Sequence, residues 1–149
     1  MPNFSESRPS ALDKIVQRFG RQTDPKRRYE LLIGFAKRLK PMDDASKVLE
    51  NKVQGCVSQV FISATLDDNQ VFYSGDSDSQ LVKGLVAVLV EGLSGLTPEA
   101  ILVVTPDFIQ DMGLNASLTP SRANGFYNIF QMMKQKALIY QAAVAASNG

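Results

Sequence analysis

The hydrophobic period of this chain changes twice, and those changes set the class of fold it can adopt. Leu12, Ile15, Val16 and Phe19 recur at helical spacing, and Gly20 supplies a stop. Ser10 followed by Asp13 reads as a capping box with Asp in the place of Glu. Asp24-Pro25 reads as the cap and first residue of a second helix. Its stripe of Tyr29, Leu32, Phe35, Ala36 and Leu39 runs until Pro41. The period then drops to two. Val60, Ile62, Ala64 and Leu66 alternate with Gln59, Ser63 and Thr65, and only Phe61 breaks the polar side. Asp67-Asp68-Asn69 signals a turn, and Gln70 to Ser74 is the returning strand. A lone hairpin is marginal in water, so Val48 to Val53 is expected as a further short strand, giving about three antiparallel strands.

The helical period then returns. Ser77 to Gln80 can cap an apolar helix containing Leu81, Val82, Leu85, Val86, Val88, Leu89 and Leu93. Gly84 lies inside it at a helical cost, which points to a second backbone coming close. Thr97-Pro98-Glu99 starts a short helix, and Asp107 to Met112 forms another. Thr119-Pro120 opens the last helix, with Phe126, Ile129, Phe130, Met133, Ala137, Tyr140 and Val144 on one face. Helices, a hairpin, then helices define an α+β two-layer sandwich, a small antiparallel sheet covered by helices. Residues 1–9 read as a loose arm, 10–146 as one domain and 147–149 as a tail.

Charge narrows the function. Sixteen Lys+Arg against 15 Asp+Glu give a net charge of +1, which argues against nucleic acid or an anionic membrane as the partner. The Lys26-Arg27-Arg28 run reads as a solvated helix start. Leu81 to Val90 is too short to span a bilayer and is interrupted by Lys83. Residues 1–10 lack the apolar run of a secretory signal. A lone cysteine fits a reducing compartment, so a cytoplasmic location is expected.

The chain has one cysteine and no histidine. That excludes an internal disulfide, a Cys/His metal site and a Cys–His nucleophile pair. Cys56 lies in Val53-Gln54-Gly55-Cys56-Val57-Ser58-Gln59-Val60-Phe61, where a polar loop gives way to a strand. Two readings remain open on these residues alone: an inert small hydrophobe, or a solitary reactive thiol turned by Gly55. A reactive thiol needs a cation nearby, and the nearest base in sequence is Lys52. Gly75-Asp76-Ser77-Asp78-Ser79 carries oxygen ligands, but calcium-loop spacing is missing and a helix N-terminus accounts for it better. In Thr119-Pro120-Ser121-Arg122-Ala123-Asn124-Gly125, capping explains the first two residues and leaves Arg122 and Asn124-Gly125 unexplained. No carboxylate pair is marked by spacing, and no phosphate-binding glycine loop is present.

Together these segments resemble the SufE family, sulfur acceptors that work with the cysteine desulfurase SufS in iron–sulfur cluster assembly. The resemblance runs from about Ile15 to Ile139. Its most specific segment is Val53 to Phe61, against the family run V-x-G-C-x-S-Q-V-aromatic. Gly75-Asp76-Ser77-Asp78 with Leu81-Val82-Lys83-Gly84 is a second match, and Leu118 to Arg122 with Asn124-Gly125 a third. Phe61 stands where Trp is common and Val57 where Gln is common. The resemblance implies an IscU-like fold, with Cys56 receiving persulfide sulfur from the desulfurase and passing it to a SufBCD-like scaffold. It implies an acceptor and activator rather than a self-sufficient enzyme. No cofactor of its own is expected, since the pyridoxal phosphate belongs to the desulfurase. Gly55, Ser58, Gln59, Asp78 and Arg122 are the implied supporting or partner-facing residues, with Arg122 as a cation for the thiolate. Cys56 is then expected to be tucked against an apolar wall in the free protein. Two alternatives remain: a desulfurase-binding activator with no covalent transfer, and a one-cysteine thiol enzyme.

Overall fold

A computed structural model describes residues 8–114 and 117–148. The expected arm lies outside the described residues as far as residue 7, and the end of the tail at residue 149 does so too. Helix α1 (Ser10–Gly20) buries Leu12, Ile15, Val16 and Phe19. Its cap differs from the sequence reading. Pro9 occupies the N-cap and Ser10 is already helical, so the serine hydroxyl makes no capping bond. The Asp13 carboxylate instead accepts hydrogen bonds from Arg8 and Gln17. Helix α2 (Pro25–Arg38) is capped as read, with Asp24 Oδ1 accepting from the Lys26 amide at 3.0 Å. Leu32, Phe35 and Ala36 are buried, but Tyr29 is half exposed, at the helix margin and off the buried stripe. Lys26 and Arg27 face solvent, while Arg28 is half-buried and donates from Nη1 to the Gly113 carbonyl.

Strands β1 (Val60–Asp67) and β2 (Gln70–Ser77) form an antiparallel hairpin in register from Val60↔Ser77 to Asp67↔Gln70. Asp68 and Asn69 both have left-handed φ, the turn chemistry that matches the twist of a two-residue hairpin loop. The sheet has two strands among the described residues, where about three were expected. Leu49–Asn51 is wound into a tight helical turn instead of an extended strand. Asn51 Nδ2 donates to the Ser46 carbonyl, a local bond that competes with pairing. What remains of the third strand is one bridge, Lys52 opposite Phe61. A second bridge, Val71 to Leu96, extends the sheet on the other side.

Helix α3 (Gln80–Leu93) is apolar nearly all round because it is the centre of the domain. It touches α1, α2, β2 and the long last helix α6 (Pro120–Asn148). Two short helices, α4 (Pro98–Leu102) and α5 (Asp107–Asp111), connect them. Phe108 sits edge-on to both Phe126 and Phe130 of α6, at 6.2 and 5.0 Å between ring centroids. The inward side of the hairpin, Val60, Ile62, Val71 and Tyr73, closes the core against α3 and α6. The result is the α+β two-layer arrangement, with the sheet covered on one face. It leaves the loop before β1 lying across the first turns of α6, and that placement builds the site.

Candidate functional site

Residues 54–59 form an excursion closed at its base. The Val53 amide donates to the Val60 carbonyl at 2.9 Å, beside the Lys52–Phe61 bridge. The chain reverses at Gly55, whose φ of +79° lies where only glycine is unstrained. The far end of the loop is pinned to the entry of α3: Asp78 Oδ1 accepts from the Gln59 amide at 3.0 Å. The Asp78 amide donates back to the Gln59 carbonyl at 3.3 Å. Ser79 then caps α3 through the Val82 amide.

This geometry turns Cys56 inward. Its side chain is half-buried against the core, and Sγ donates a long, weak bond to the Gly125 carbonyl of α6 at 3.6 Å. A Cβ at position 125 would sit 3.4 Å from Sγ, in contact with it, so this position lies directly beneath the thiol. Sγ opens on a pocket of about 270 Å³, floored by Val82 and Phe126 and rimmed by Ser58, Thr119, Ser121 and Arg122. Arg122 is exposed and is its charged lining group. Thr119 accepts from the Arg122 amide, so the α6 cap places that arginine at the mouth.

Of the residues singled out from sequence, Cys56, Ser58 and Arg122 line one pocket, and Gly55 shapes its loop. Gln59 and Asp78 do not line it. They lie in a neighbouring depression with Lys47 and Asp76, where the Asp78 carboxylate holds the Gln59 amide at the end of the Cys56 loop. Burial works against the Asp76 carboxylate there, but the Lys47 ammonium at 3.0 Å, the Ser77 amide and Lys83 outweigh it and hold the carboxyl below its ordinary value. The run read from sequence as a helix N-terminus is thus mostly strand: Gly75 to Ser77 are the ion-paired end of β2, and only Asp78-Ser79 lead into α3. Among the described residues no three His, Cys, Asp or Glu side chains gather as metal donors. Sequence reasoning missed Asn128, whose Nδ2 donates to the Gly55 carbonyl at 3.1 Å. It had read Val82 and Phe126 only as core residues.

Burial pushes the Cys56 thiol above its ordinary value, and Arg122, out at the mouth, leaves that shift standing. The resting residue is therefore a protonated thiol near neutrality. Alkylation requires the thiolate, so the rate of iodoacetamide labelling in the free protein should rise at higher pH than for cysteine in a denatured chain. A coincident profile in the folded and denatured protein would contradict the inward placement.

A single-thiol α+β domain, with its cysteine on a glycine loop over an apolar pocket, is the class that fold and site define. The model of the SufE, Fe-S metabolism associated domain matches residues 13–137. The chain belongs to the SufE family, and so to iron–sulfur metabolism. It is 60% identical, over 95% of its length, to an uncharacterized SufE-like protein of Synechocystis sp., of which it spans 89%. It is 48% identical over 89% of its length to SufE-like protein 1, chloroplastic/mitochondrial, of Arabidopsis thaliana, and 41% identical over 83% to the cysteine desulfuration protein SufE of Plasmodium vivax. It spans only 36% and 51% of those two relatives. The solution structure of a hypothetical protein from Thermus thermophilus superposes with a TM-score of 0.75 at 26% identity, over 88% of this chain and 98% of that one. No helix among the described residues is long and apolar enough to cross a membrane.

Proposed function

We propose that the chain is a sulfur carrier: Cys56 accepts sulfur from a cysteine desulfurase, stimulates that enzyme by clearing its product, and delivers the sulfur to an iron–sulfur scaffold of the SufBCD type. The observation that carries this reading is the lone thiol turned by Gly55 into a pocket floored by Val82 and Phe126. The names of the Plasmodium relatives, cysteine desulfuration proteins, support it.

The step is a thiol–persulfide exchange. Cys56 loses its proton to solvent. The thiolate lone pair then forms a bond to the outer sulfur of the donor persulfide, the donor S–S bond breaks, and the donor cysteine leaves as thiolate. No oxidant or reductant is consumed. In the resting pocket the thiolate is disfavoured by burial, so the loop swings outward when the desulfurase docks. The apolar floor serves the return: a persulfide folded back over Val82 and Phe126 is shielded from water and small reductants.

Arg122, at the pocket mouth, offers the anionic sulfur a cation once the loop has moved outward. An exposed pair of this kind contributes ~0.2–1 kcal/mol. Arg122→Ala should therefore slow sulfur loading by about 1.4- to fivefold and leave the melting temperature unchanged. Equal loading rates in the two proteins, timed by quenching and mass measurement, would remove Arg122 from the transfer.

The direct test is intact mass measurement after incubation with a cysteine desulfurase, its pyridoxal phosphate and cysteine. The wild-type chain should gain one sulfur, lost again on treatment with a thiol reductant.

A further inference from the structure

The geometry points to Asn128 as a positioning residue for the Cys56 thiol, a catch on α6 that holds the cysteine loop inward and sets how readily it leaves the pocket. This rests on the sulfur-carrier reading and adds to it the device that governs access.

Three observations meet at this residue. Asn128 Nδ2 donates to the Gly55 carbonyl at 3.1 Å, joining positions 73 apart in sequence. The contact is close: a methyl group at Gly55 would lie 2.5 Å from the same Nδ2. Asn128 also stands three positions after Gly125, whose carbonyl accepts from the Cys56 thiol at 3.6 Å. Residues three apart share a helix face, so α6 grips the carbonyl of Gly55 and the thiol of Cys56 side by side.

The two grips differ in what sulfur chemistry does to them. The thiol bond exists only while sulfur carries its proton, since S–H is the donor. Once Cys56 is a thiolate or a persulfide anion, its sulfur faces the Gly125 carbonyl oxygen with no hydrogen between them, and attraction turns to repulsion. The Asn128 amide donates whatever the state of the sulfur. After ionisation it is the remaining side-chain tie from the loop to α6 among the described residues. It therefore restrains the loaded loop, which would otherwise expose the persulfide. The bond is solvent-exposed, so breaking it costs little and a docking partner can open it.

The test follows the free protein with a bulky aromatic disulfide reagent and with iodoacetamide, in wild type, Asn128→Ala and Asn128→Leu. The leucine keeps the size and removes the donor without adding a charge, so it reads the same event if the alanine variant is unstable. Loss of one neutral hydrogen bond should raise the bulky-reagent rate by about two- to tenfold, and the iodoacetamide rate by less. The pH profile should move as well. With the loop released, the midpoint of labelling falls toward that of an unburied thiol, while Arg122, the charged group lining the pocket, stays in place. Loss of packing alone would lower the melting temperature without a separate shift in this midpoint. Unchanged rates and midpoint in folded Asn128→Leu, with normal sulfur loading, overturn the catch and leave the carrier reading standing. Faster labelling in both variants supports the catch even if no variant, wild type included, takes up sulfur, the outcome that ends the carrier reading instead.

Discussion

Cys56→Ser should take up no sulfur from a desulfurase, with a mass unchanged from its starting value. The chain holds one cysteine, so no second thiol can mask the loss. A serine hydroxyl does not ionise near neutrality and does not attack persulfide sulfur. Nor can unfolding explain the expected result. Cys56 is only half-buried, and its bond to the Gly125 carbonyl is long at 3.6 Å. Replacing sulfur by oxygen there removes a weak donor and supplies another, a change of roughly 0.5 kcal/mol or less. The melting temperature should therefore stay within about 2 °C of wild type. Desulfurase turnover separates the covalent reading from the alternative. If product clearance drives stimulation, the serine variant should fail to stimulate at saturating concentration while still competing with wild type for the enzyme. Full stimulation by Cys56→Ser would instead identify a non-covalent activator, and sulfur recovered on that variant would sink the carrier mechanism outright.

The distance between sequence and site can be traced through particular residues. The helix stripes and the Asp68-Asn69 turn were legible because their signals are local: apolar spacing in one case, left-handed φ in the other. Val48 to Val53 misled because apolar residues flank Glu50-Asn51, and Asn51 prefers a bond to the Ser46 carbonyl over a strand partner. The Ser10 cap failed for a similar reason, since Pro9 already supplies the extended residue that precedes α1. The site divides the same way. Cys56 and Gly55 announce themselves as residue types. The nearness of Arg122 to Cys56 was available only through family resemblance, because nothing in the spacing places the start of α6 beneath a loop that precedes β1. Asn128 had no signal at all. It is one polar residue on a long helix, and its partner is a backbone carbonyl that no sequence pattern marks.

Gly84 is the position where a sequence cost was read correctly as a packing requirement, and it carries the second large effect. Gly84→Ala should destabilise the domain by about 1–3 kcal/mol, a fall in melting temperature of roughly 3–10 °C for a chain of this size. Helix propensity alone predicts the opposite sign, since alanine in a helix interior is favoured over glycine by ~0.5–1 kcal/mol. The deciding contact is with backbone. A Cβ at Gly84 would run into the carbonyl group of Leu32, inside α2, and α2 cannot bend a rigid peptide away as it would a flexible side chain. Relief requires α2 and α3 to separate, and both bury their apolar faces in that contact. Gly34 provides the control within the same structure. It lies on the exposed side of α2, and a Cβ there meets nothing within 4 Å. Gly34→Ala should therefore stabilise the protein by ~0.5–1 kcal/mol. The same substitution in two packed helices is expected to give opposite signs, and denaturant midpoints on the two variants decide it. A Gly84→Ala protein as stable as Gly34→Ala would mean that α2 and α3 do not approach as closely as the structure has them.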